Sequence, residues 1–197
     1  TSMMPGDSTA YLANGAVNFA GGIVSLDPGG FTIGTNAAVN TSGITYYWEA
    51  FGNAWNEYTN SGSSSFYIGT YFGNATDNVS VPKLPFAADM VAVKGNTAQL
   101  GVFRTSSQSG DLSSYFSATA ETSNIIQAIN SDGFQLGTSV TVNTNATLYY
   151  YFGFKSGTNF TVGTYTGSGA TKSVSFGFQP DYMWIKHAST TAGVERN

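Results

Sequence analysis

The 197-residue chain carries a formal charge of −4; only 9% of its residues are charged, against 41% apolar and 15% aromatic. Disorder needs low hydrophobicity with high charge, so this is the composition of a folded protein poor in charge. Seven Lys and Arg make no basic patch, which argues against nucleic acid as a partner, and the lack of cysteine excludes disulfides, thiolate metal sites and thiol catalysis.

Along the chain, Thr1 to Asp7 shows no basic stretch followed by an apolar one, so no signal peptide is expected there. No apolar run approaches the roughly 20 residues that span a bilayer, and no membrane insertion is expected. Asp27-Pro28-Gly29-Gly30 and Ser61 to Ser65 read as turns. Ile68 to Tyr71 is a short strand, and Val91 to Val93 is a strand buried on both faces. Thr119 to Ile129 is the one helix candidate, at most a short turn. Ser131-Asp132-Gly133 is a turn, Thr138 to Val142 a strand-like run, and Thr166 to Gly169 another turn. Ser173 to Phe178 alternates apolar and small residues, and Met183 to Ile185 repeats the buried-strand pattern. Short strands between Gly-rich turns predict an all-β fold, a sandwich or barrel.

The sequence is internally duplicated. Gly30-Phe31-Thr-Ile-Gly-Thr35 returns as Gly133-Phe134-Gln-Leu-Gly-Thr138, Val39-Asn40-Thr41 as Val142-Asn143-Thr144, and Tyr46-Tyr47-Trp48 as Tyr149-Tyr150-Tyr151, all at an offset of 103. Phe66 to Tyr71 returns as Phe160 to Tyr165 at 94, and Asp89 to Lys94 as Asp181 to Lys186 at 92. Gly6-Asp7 and Tyr11 match Gly110-Asp111 and Tyr115 at 104. The expectation is two tandem β-sandwich, jelly-roll-like repeats, residues 1–104 and 105–197, side by side or interlocked as one pseudo-symmetric body. The offset falls by nine between Phe51 and Phe66, so the first copy holds a nine-residue insertion within 52–65.

Catalytic groups are scarce. A Ser-His-Asp triad would have to use the single histidine, His187, whose counterpart is Gly95; no Gly-x-Ser-x-Gly elbow accompanies it. Asp7/Asp111, Asp89/Asp181, Lys94/Lys186 and Arg104/Arg196 recur, a pattern better explained by turn and strand-end hydrogen bonds than by paired catalytic carboxylates. Asp27-Pro-Gly-Gly and Asn130-Ser-Asp132-Gly lack the clustered acids of a calcium loop. No cofactor and no metal site is expected. The insertion is dispensable for folding, since the second copy lacks it, and its Trp55, Glu57 and Tyr58 are the best candidates for ligand contact. Asn40, Asn74, Asn78, Asn145 and Asn159 head N-x-[ST] sequons, candidate glycosylation sites if the host glycosylates.

Read from Phe66, the order Gly69-Thr-Tyr, Pro85-Phe-Ala-Ala-Asp-Met-Val-Ala-Val-Lys94, Ser131-Asp-Gly-Phe-Gln-Leu-Gly-Thr138, Val142-Asn-Thr144, Tyr149-Tyr-Tyr151 resembles a repeat of bacteriophage tail and tail-fibre proteins, as does Phe160 to Lys186. In that phasing one complete module, about 66–157, stands between two halves. The resemblance implies a concanavalin-like or jelly-roll-like β module without catalytic residues. The expected function is therefore a non-enzymatic structural module, extracellular or in a virion, a phage tail or fibre component that self-associates and contacts host-surface polysaccharide. The alternatives are a self-assembling filament or sheath subunit joined by strand pairing between subunits, and a lectin-like carbohydrate-binding domain with Trp55 and Tyr58 as stacking platforms.

Overall fold

A computed structural model describes residue 4, residues 6–48 and residues 65–196. The secondary structure runs β1 (Ile23–Asp27), β2 (Gly30–Ile33), α1 (Ala37–Asn40), β3 (Phe66–Phe72), β4 (Val79–Val81), β5 (Met90–Gly95), β6 (Val102–Thr105), β7 (Ser114–Tyr115), β8 (Ile126–Asn130), β9 (Gly133–Leu136), α2 (Val140–Asn143), β10 (Leu148–Phe154), β11 (Met183–Ile185) and β12 (Val194–Arg196). The fold is all-β: the two helices among the described residues are single turns of four residues.

Eight strands between Phe66 and Phe154 make two antiparallel sheets, one ordered β3-β10-β5-β6-β7 and one ordered β4-β9-β8. β6 and β7 pair across the boundary between residues 104 and 105, Val102 facing Tyr115. β10 lies between β3 and β5, with Tyr149 opposite Tyr71 on one side and Gly95 on the other. Successive side chains of a strand point to opposite faces, so alternate residues of β10 and β5 are sent into the core. Tyr149, Tyr151, Val91 and Val93 meet Phe134, Leu136 and Ile126 of the smaller sheet, and all seven are buried. Tyr71 stacks on Tyr149 at 5.2 Å between ring centres, and Phe134 meets Tyr151 edge-on at 5.1 Å. Such aromatic pairs add about 1 kcal/mol each beyond the area they bury. Gly69 lies in β3 directly opposite Tyr151; a Cβ there would stand 2.3 Å from the Tyr151 ring, so only glycine lets that tyrosine lie across the strand.

Flanking this sandwich-like unit are two hairpins that do not join its sheets, β1-β2 before it and β11-β12 after it. The first repeats β8-β9 closely, down to a register irregularity after Ile23 that matches the one after Ile126. Residues 6–26 lie over the outer face of the large sheet, which explains why β5 is buried on both faces. Between them remains a cavity of about 370 Å³, walled by Leu12, Ile23 and Leu26 on one side and by Ile68, Ala92 and Phe152 on the other.

Three elements differ from the sequence reading. Residues 119–125 form no helix, and β8 begins at Ile126, because the Ser113 hydroxyl donates to Ile126 O (2.9 Å) and accepts from Ile126 N (3.0 Å), fixing an extended backbone. Thr138 to Val142 is not a strand: Ser139 Oγ accepts from Thr141 N and caps α2. Ser173 to Phe178 alternates like a strand, yet pairs with no strand among the described residues and stays irregular. Met183 to Ile185 is a strand as expected, but only half-buried.

Candidate functional site

Several of the recurring polar residues hold the backbone in the same way in both copies. Asp111 Oδ2 accepts from Asn124 N at 3.0 Å, and Asp7 Oδ2 from Gly21 N at 2.9 Å. Ser113 grips Ile126 as Thr9 grips Ile23, with Thr9 Oγ1 accepting from Ile23 N at 2.8 Å. Tyr149 Oη donates to Val140 O and accepts from Thr144 N; Tyr46 does the same with Ala37 O and Thr41 N, each bond at 3.0 Å.

Asn143 is the densest of these nodes, and the residue-by-residue reading for chemistry passed over it although its Val-Asn-Thr context recurs. It is fully buried. Its Oδ1 accepts from Asn74 N (2.8 Å) and Ala75 N (3.2 Å), and its Nδ2 donates to Thr76 O and Gly137 O at 2.8 Å each. One carboxamide thus ties the β3–β4 turn to the segment between β9 and α2. Its counterpart Asn40 is exposed and donates to Gly34 O at 2.7 Å.

The charged residues serve similarly. The Arg104 guanidinium donates to Gly110 O at 2.6 Å, Gln108 O at 3.3 Å, Ile126 O at 3.4 Å and Leu112 O, so that four of its five donors meet carbonyls. Burial holds its pKa below the ordinary value, opposed by the charges of Asp111 and Glu121. Asp89 accepts from Ser106 Oγ (2.9 Å) and Ser156 N (2.8 Å). Burial raises its pKa, but these bonds and the Lys155 charge outweigh that and leave the carboxyl below its usual value. His187 accepts at Nδ1 from Ser189 N at 2.9 Å, beside the Ser189 hydroxyl at 2.8 Å, in an exposed loop. Asp27 accepts from Thr32 Oγ1 across its own hairpin. Among the described residues no cluster of three or more His, Asp or Glu could hold a metal.

Two lysines make a joint rather than a pocket. Lys94 Nζ donates to Gly95 O (2.7 Å) and Thr97 O (2.9 Å) of its own strand and the loop after it, and to Ala16 O (3.2 Å) of the segment that precedes the sheets of residues 66–154. Lys186 Nζ donates to His187 O (2.5 Å) and Ser189 O (3.0 Å), and to Thr119 O (3.2 Å) in the segment between β7 and β8. Ala16 and Thr119 are themselves related by the offset of 103. Burial lowers the pKa of both lysines, and for Lys186 the Glu121 charge opposes it. Gly101 N to Leu12 O (2.8 Å) extends the first joint, and Glu121 N to Ala188 O (2.9 Å) the second.

Trp55, Glu57 and Tyr58, with residues 52–64 of the stretch that holds the insertion, lie outside the described residues. The five sequon asparagines, Asn40, Asn74, Asn78, Asn145 and Asn159, are all exposed. No helix among the described residues is long and apolar enough to cross a membrane. No family model, no curated protein and no solved structure matches the chain.

Proposed function

We propose that the chain is a non-enzymatic structural module of an extracellular or virion assembly, a phage tail or fibre component, made of jelly-roll-like repeats that stack in series. The observation that carries this reading is the lysine joint, which occurs twice with corresponding atoms, Lys94 on Ala16 and Lys186 on Thr119. With residues 66–157 taken as one unit, each unit meets the next by the same head-to-tail contact. A contact of that kind between unlike surfaces continues into a ring where the rotation closes and into an open fibre where it does not. The recurring Asp, Lys, Arg and Asn side chains support a structural role, since their polar atoms are spent on backbone groups. Light scattering with negative-stain imaging tests the reading. Rings, tubes or fibres far larger than the 20.7 kDa chain are expected; a monodisperse monomer at every concentration would overturn it.

A further inference from the structure

We infer that the cavity between residues 6–26 and the outer face of the large sheet is a binding site for a small, uncharged, largely apolar molecule with a single hydrogen-bonding group, anchored at the Tyr150 hydroxyl. Both walls belong to one chain, so the inference goes beyond the assembly reading and stands apart from it.

The cavity follows from how the two layers meet. Alternate residues of β3, β10 and β5 turn away from the core, and Thr70, Tyr150 and Lys94 stand side by side in register on that outer face. The roofing segment is tied down beside them, by Lys94 Nζ on Ala16 O and by Gly101 N on Leu12 O. Next to that seam, Ile68 and Phe152 on the sheet and Ile23 and Leu26 on the roof leave about 370 Å³ between them. Ligand pockets run from about 300 to 1,000 Å³, and an apolar cavity of about 150 Å³ already holds a benzene ring. The space therefore takes two fused rings or a chain of about ten carbons. Ile23, Leu26 and Ile68 are 41%, 68% and 42% exposed, so a ligand lying against them removes apolar surface from water.

The polar atoms on the walls decide the rest of the ligand. Lys94 is the one charged residue lining the cavity, and its ammonium already donates to Ala16 O, Gly95 O and Thr97 O. An ammonium has three donors, so none is left for a carboxylate or a phosphate. Thr9 Oγ1 is taken by Ile23 N at 2.8 Å, and the Ser8 and Ser25 side chains are half-buried at most, within reach of water. Tyr150 differs from all of these. It lines the cavity, is only 9% exposed, and its hydroxyl meets no hydrogen-bond partner among the described residues. Tyr71, Tyr149 and Tyr46 by contrast donate to Val142 O, Val140 O and Ala37 O. Burial raises the Tyr150 pKa, so at neutral pH the hydroxyl keeps its proton and can donate as well as accept. A hydroxyl held out of water without a partner is costly, and a ligand hydroxyl or carbonyl set against Oη removes that cost.

The test uses the uncharged fluorescent probe N-phenyl-1-naphthylamine, titrated into the full chain and displaced with 1-decanol, 2-naphthol and decanoate. A single saturable site is expected, emptied by decanol, by naphthol or by both; the better competitor tells a chain from a ring. Decanoate should compete about ten-fold less well than decanol, since the walls offer its charge no donor. Absence of saturable binding, or decanoate competing as well as decanol, would overturn the proposal. Tyr150→Phe should weaken decanol and naphthol by about ten-fold and leave naphthalene, which has no hydroxyl, unchanged. Equal affinities for the hydroxyl ligands before and after that substitution would refute the anchor. Ile68→Trp fills the cavity from a half-exposed position and should abolish probe binding with the urea midpoint unchanged; retained binding sinks the site. One further arm needs no substitution: the methyl NMR signals of Ile23, Leu26 and Ile68 should shift as decanol or naphthol is added to the wild-type chain. Shifts confined to other methyl groups would place the ligand elsewhere and refute the inference.

Discussion

Truncating Asn143 to alanine removes four hydrogen bonds from a fully buried position. Ala75 N keeps a second acceptor in Asn143 O at 3.0 Å, so the groups left without a partner are Asn74 N, Thr76 O and Gly137 O. A buried polar group stripped of its partner costs about 1–3 kcal/mol, and the turn at 74–76 is exposed enough for water to recover part of that. The expected loss is about 2–4 kcal/mol, a large share of the roughly 5–15 kcal/mol of a small domain. For a unit of this size that lowers Tm by about 10–25 °C. Asn40→Ala removes one exposed bond at the equivalent position, and should cost no more than about 1 kcal/mol in dilute chain. Urea unfolding followed by tyrosine fluorescence, at concentrations too low for assembly, measures both. Equal losses for the two variants, or a loss below about 0.5 kcal/mol for Asn143→Ala, would refute the claim that burial of the clasp decides its worth.

Gly69→Ala forces a methyl group into the Tyr151 ring and should destabilise the central unit by about 1–3 kcal/mol, read as a lower urea midpoint with unchanged slope. Asp89→Ala releases Ser106 and Ser156 and should cost about 1 kcal/mol at neutral pH. Because the folded carboxyl sits below its ordinary 3.8, that stabilisation is present above pH 3.8 and lost as pH falls through the folded value, so wild type and variant should converge in acid. Tyr71 and Tyr151 are shifted upward, chiefly by burial and then by the neighbouring Tyr149 and Tyr67 respectively. The unfolded chain therefore ionises first above pH 10, and stability should fall by about 1.4 kcal/mol per pH unit for each of them, measured as urea midpoint against pH. Trp55→Ala should abolish retention on host-surface polysaccharide if the insertion stacks on sugar rings; retention unchanged by the substitution removes that role.

The duplication and the β character are legible in the sequence because they live in local pattern: Ile68 to Tyr71 and Val91 to Val93 carry the alternation and β-branching that a strand requires, and both are strands. Elements decided by long-range partners are not legible. Thr138 to Val142 has strand-forming residues, but the Ser139 cap and the Tyr149 hydroxyl, which bonds Val140 O and Thr144 N, bend it into a helical turn. Ser173 to Phe178 has the right alternation but, among the described residues, no strand paired with it to supply hydrogen bonds. Asn143 could have been found, since an asparagine recurring between a buried valine and a threonine needs a polar task in both copies. The lysine joint could not, because nothing in the residues around Ala16 or Thr119 marks their carbonyls as acceptors.

The covering of the large sheet by residues 6–26 runs in one direction only: the central unit is roofed by the segment that precedes it in the chain. A series of such units is therefore polar, with one end whose sheet lies bare and one end whose roof covers nothing. Stability accumulates along it as nearest-neighbour increments. In the assembly proposed above, melting is expected to start at the bare end, because the other end opens only once a roof is lifted.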